Sequence, residues 1–97
     1  MTARINTLVR DCETRGAKVR YVFPPLPGPD YRQHQAELDR FAEDFLKQCA
    51  IRALNRPADA ILPWDRFYDT NYHLTDAAAR QRSIDLLVRL QADGVVP

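Results

Sequence analysis

The chain has 97 residues, 45% hydrophobic and 28% charged, so it holds at most one domain and has the composition of a folding protein rather than a disordered or fibrous one. Its 14 basic and 13 acidic residues cancel to +1 and are interspersed, which removes the basic footprint that binding nucleic acid or an anionic membrane requires. No apolar run approaches the ~20 residues needed to span a bilayer, and the first residues lack the apolar stretch of a signal peptide, so the sequence as it stands reads as cytoplasmic.

From Thr2 to Arg15, Ile5, Leu8, Val9 and Cys12 recur at helical spacing, and Gly16 stands where a left-handed helix stop belongs. A short amphipathic helix is predicted. Lys18 to Phe23, "KVRYVF", is β-rich and nearly continuous in apolar residues, as in a strand covered on both faces. Pro24, Pro25, Pro27 and Pro29 then stop it, since proline supplies no ladder donor. Tyr31 to about Arg52 is the longest periodic segment, a helix with Leu38, Phe41, Ala42, Phe45, Leu46 and Cys49 on its apolar face. "NRPADAILPW" is broken by Pro57 and Pro63 and leaves Ala60 to Leu62 as a very short edge strand. The last helix is predicted to start at the N-cap Thr75, with Asp76 in its first turn, to bury Ile84, Leu87 and Val88, and to end near Ala92 before Gly94. Cys12 and Cys49 each fall on an apolar helix face, which suits reduced core residues better than a disulfide and points to a reducing compartment.

The order is an α/β arrangement over a single domain, residues 1–97, with one clear strand, one weak strand and three helices. A helix in the crossover implies parallel pairing. Two strands leave both sheet edges open, and a strand apolar on both faces needs neighbours on both sides. The domain therefore reads as incomplete, to be closed by a second copy or by a complementary chain.

Asp69 precedes His73 by four residues in "FYDTNYHLTD", just before the last helix. A carboxylate in this position can hold the Nδ1–H of a histidine, leaving Nε2 to take a proton from a nucleophile and return it to a leaving group. The same spacing suits an Asx-turn at Asp69 and a structural histidine.

The string "RFYDTNYHLTDAAARQRS", Arg66 to Ser83, resembles the C-terminal block of the SGNH/GDSL hydrolases, in which an aromatic-Asp-Thr-x-Tyr-His-Leu-Asn segment precedes a helix. The upstream order of helix, Gly16, strand ending in "FPPLP", long helix and proline-bounded connection is similar too. The resemblance implies a three-layer α/β/α domain, and ester hydrolysis or acyl transfer on a small ester by a Ser-His-Asp triad without cofactor or metal. Its aspartate and histidine fall at Asp69 and His73. The Gly-Asp-Ser block and the oxyanion donors have no counterpart; the single serine, Ser83, matches a helix threonine, Ala78 replaces a glycine and Thr75 an asparagine. The expectation is a chain that keeps the base and its orienter, lacks the nucleophile, and is inactive alone. That Met1 opens directly on a mid-domain helix is in keeping with a truncated reading frame. The alternative is a non-catalytic interaction module that completes its sheet by homodimerising or docking on another chain.

Trp64, Phe67, Tyr68 and Tyr72 read as anchors of this segment, Tyr72 being equally placed to wall a pocket. The prolines that follow the first strand shape a loop more simply than they present a polyproline ligand. His34, Asp65, Asp69 and His73 lack the close spacing of a zinc set, and His34 falls on the wet side of its helix. Neither cysteine has the electropositive setting of a reactive thiolate. Arg80 and Arg82 are able to hold a carboxylate near the helix start; Arg80 reads more simply as a solvated residue, and Arg82 falls at the place of a family arginine.

Overall fold

The computed structural model describes residues 2–68 and 73–97. Helix α1 covers Thr2–Thr14 and stops as the glycine predicts. Gly16 takes φ +87°, and the N–H groups of Ala17 and Gly16 return to the carbonyls of Cys12 and Glu13 at 3.0 Å each, satisfying two orphan acceptors of the last turn. Helix α4, Asp76–Ala92, ends in the same way at Gly94, with Val95 N–H bonded to Leu90 O and Gly94 N–H to Gln91 O.

The sheet is built differently from the prediction of one strand over residues 18–23 and one weak strand. Among the described residues there are four strands of two residues each: β1 (Arg20–Tyr21), β2 (Leu26–Pro27), β3 (Arg52–Ala53) and β4 (Ile61–Leu62). β1 pairs with β3 and β2 with β4, both in parallel, with Arg20 opposite Arg52 and Leu26 opposite Ile61. Between the two ladders the side-chain amide of Asn55 replaces a strand backbone. It accepts from Phe23 N–H at 2.8 Å and donates to Phe23 O at 3.1 Å. Residues 20–27 thus run beside 52–62 as one interrupted parallel ladder, an α/β arrangement with helices in the crossover.

Two expectations are corrected here. The prolines do not end pairing, because a two-stranded ladder leaves some backbone N–H positions without a role, and Pro27 can occupy one while fully buried. The segment from Tyr31 to Arg52 is not one helix. It is α2 (Gly28–Gln33), a break at His34, and α3 (Gln35–Gln48), after which the chain re-enters the sheet. At the break the buried Tyr31 donates its hydroxyl to Asp39 at 2.8 Å. Along an unbroken helix these residues would stand about 12 Å apart. Helix α3 lays Phe45 against Tyr21, ring centroids 4.8 Å apart, and α1 reaches its far end, where the amide of Asn6 bonds Gln48 O and Ala50 N–H. Cys12 and Cys49 are both free thiols, Cys49 buried, and His34 is exposed as expected.

The third correction concerns α4. Ile84, Leu87 and Val88, expected in the core, are 49%, 51% and 54% exposed, and Phe41 and Leu8 on other helices are also largely bare. Polar anchors set the rotation of α4. Arg89 donates to Leu54 O at 3.0 Å, and Asp93, one turn further, bonds Arg20 and, at 2.6 Å, Arg52. These turn Ala78, Leu86 and Leu90 toward the sheet and the second apolar stripe outward. The accessible surface is 6971 Å², against about 5,700 Å² for a closed monomer of this mass. The radius of gyration is 14.9 Å, against about 12.5 Å. Among the described residues no helix is long and apolar enough to cross a membrane.

Asp93 is held below the usual carboxylate range, first by its hydrogen bond from Arg20 and then by the charges of Arg20 and Arg52, against burial, which pushes it up. A depressed folded value contributes stability above the unfolded value of about 3.9 and loses it as pH falls through the folded one. Asp93→Asn should therefore lower the thermal midpoint at neutral pH. The gap between variant and wild type should narrow as the pH is taken from about 5 to about 3 and vanish only below the folded value. A gap that stays constant over that range would remove the charge from this explanation.

Candidate functional site

His73 lies at the end of a short antiparallel contact that precedes α4. Phe67 pairs with Leu74, Tyr68 N–H donates to His73 O at 3.0 Å, and Thr75 N–H donates to Arg66 O at 2.8 Å. Residues 66–68 and 73–75 are therefore tied together by backbone bonds before α4 begins. Phe67 is buried and stacks edge-on to Trp64 at 6.2 Å, so it is the anchor that the sequence suggests. Trp64 and Tyr68 are 49% and 68% exposed and serve less in that role. Tyr72 and Asp69 both lie outside the described residues.

The His73 side chain is exposed and lies parallel to the Tyr68 ring, centroids 5.7 Å apart and planes at 17°. Stacking covers a face of the imidazole, whereas its nitrogen lone pairs and N–H lie in the ring plane. Thr75 caps α4, its hydroxyl accepting from Ala78 N–H at 3.3 Å, and Asp76 sits in the first turn, where a negative charge suits the helix dipole. Ala78, in the first turn of α4, is buried.

Ser83 does not complete a triad. Its hydroxyl donates back to Ala79 O at 3.1 Å, and it stands about 12 Å along the axis from the capping residue. Cys49 is buried. Among the described residues no group of three His, Cys, Asp or Glu side chains could hold a metal ion. Cavities of about 580 Å³, beside α4, and about 570 Å³, beside Tyr31 and Pro57, are present, and His73 lines neither. Arg82, Arg66, Gln81 and Asn55 meet at the first of these. Only Arg82 among them was singled out from sequence, because a cavity wall assembled from three separated segments has no local signature.

Thr75→Ala removes the cap that positions the helix behind His73. It should destabilise the fold by about 1 kcal/mol, within a range of roughly 0.5–2. Chemical denaturation read by circular dichroism would measure this, and an unchanged midpoint would mean that the capping bond contributes nothing.

No family model, no curated protein and no solved structure matches this chain.

Proposed function

We propose that the chain is the C-terminal part of an SGNH-type ester hydrolase or acyl transferase domain, with His73 as general base, Asp69 as its orienter, and the serine nucleophile absent or on another polypeptide. In this reading the interrupted ladder of residues 20–27 and 52–62 is part of the central sheet of a three-layer α/β/α domain, and α4 is the helix that follows the catalytic histidine. The observation that carries it is an exposed histidine whose backbone carbonyl is tied to Tyr68 N–H, directly before a capped helix, within a string that resembles that family's C-terminal block. In the completed site, Nε2 of His73 takes the serine proton as the oxygen attacks the ester carbonyl, then returns it to the departing alcohol. Alone, the chain has a base with no hydroxyl to activate.

The outward apolar residues Ile84, Leu87, Val88, Leu8 and Phe41 favour a second reading. There the same open fold is an interaction module that homodimerises or docks on another chain and does no chemistry.

The two readings separate in an ester assay. With 4-nitrophenyl acetate, the chain alone should be at background. Combined with a fragment that carries a Gly-Asp-Ser strand-to-helix turn, it should hydrolyse the ester, and His73→Ala should lower that rate by about 10³-fold or more. Equal rates for wild type and His73→Ala would exclude His73 from catalysis and leave the interaction module.

A further inference from the structure

We propose that the cavity between α4 and the β4 segment binds a small organic carboxylate with an apolar body, gripped by the guanidinium of Arg82. The cavity measures about 580 Å³. That lies within the roughly 300–1,000 Å³ usual for small-molecule sites. Leu62, Pro63, Ala78 and Leu86 give it apolar walls, against which a hydrocarbon body can be removed from water.

The charged residues on its wall differ in what they already bond. Asp85 accepts from Arg89 at 2.9 Å, and Arg89 also donates to Leu54 O. Asp59 accepts from the backbone N–H of Arg56 at 2.9 Å. Arg66 stands 3.8 Å from Asp65 in an exposed pair, which holds it weakly. Arg82 is half-buried and makes no hydrogen bond or ion pair with any described residue, although Asp85 lies one turn along the same helix. A partly desolvated guanidinium without a counter-charge is unfavourable. The cavity therefore presents one uncommitted forked cation, with Arg66 near its rim, above an apolar floor. A planar carboxylate matches that fork through two parallel N–H···O bonds, and the floor selects an aliphatic or aromatic body. The site does not depend on the catalytic reading of His73, which lies outside the cavity wall.

Titration calorimetry at low ionic strength with benzoate, benzamide and inorganic phosphate tests this. Benzoate should bind once per chain, and benzamide and phosphate at least about 10-fold more weakly. Arg82→Gln should weaken benzoate at least about 10-fold, and Arg82→Lys, which keeps charge but not the fork, should fall between. Arg80→Gln and His73→Ala should leave benzoate binding unchanged. If Arg82→Gln does not fold, as read by circular dichroism, Arg82→Lys carries the comparison. Absence of benzoate binding, equal binding of benzamide, or no effect at Arg82 would overturn the site. Equal binding of phosphate would overturn the assignment to an organic carboxylate.

Discussion

Two arginines face each other across the parallel ladder, Arg20 opposite Arg52, where like charges should push the strands apart. The carboxylate of Asp93, its side chain 9% exposed, lies between them and bonds to both. Asp93 also caps the C-terminus of α4, where the helix dipole by itself disfavours a negative charge. Neither arrangement is favourable alone, and together they join three segments that are distant in the chain. Lys18, whose ammonium bonds Gly94 O at 2.8 Å, adds a fourth contact at the same corner. With Arg89 on Leu54 O, this corner decides which face of α4 meets the sheet.

The apolar residues of α4 do not all follow that decision. Leu86 and Leu90 turn inward, and Ile84, Leu87 and Val88 are left in water. Three bare aliphatic side chains on one helix favour a covering surface. The excess surface points the same way: about 1,300 Å² beyond that of a closed monomer, more than the ~800 Å² each side of an ordinary interface covers. The strands agree, since two-residue ladders with open edges are too small to be stable by themselves. Association through these surfaces is common to both functional readings, which differ only in what the second surface brings to His73.

Legibility in the sequence followed the range of the interactions. Helix ends were plain because Gly16, Gly94 and Thr75 act through their own backbone or the next turn. Cys49 is legible as buried from apolar helical spacing, and Phe67 as an aromatic anchor of its segment. The third strand was hidden because Arg52 and Ala53 continue the composition of α3, and the helix break at His34 contains neither glycine nor proline. It is explained by the bond from Tyr31 to Asp39, which exists only once α2 and α3 have separated. Asn55 had no sequence signal for its role, since an amide that substitutes for a strand is defined by Phe23 on another segment. The rotation of α4 was misjudged for a related reason. Periodicity points to the face of Ile84, Leu87 and Val88, whereas the face that meets the sheet is selected by Asp93 and Arg89, whose partners lie far away in the chain. Asp69, half of the anticipated base pair, lies outside the described residues, so the site is legible in His73 and its backbone.

The central claim is that this fold leaves apolar faces which another protein surface must cover. Sedimentation equilibrium of the purified chain tests it most directly. Association through those faces predicts a weight-average mass that rises above 11.2 kDa as concentration increases. A mass of 11.2 kDa at every concentration would contradict it and show that the chain is sufficient by itself.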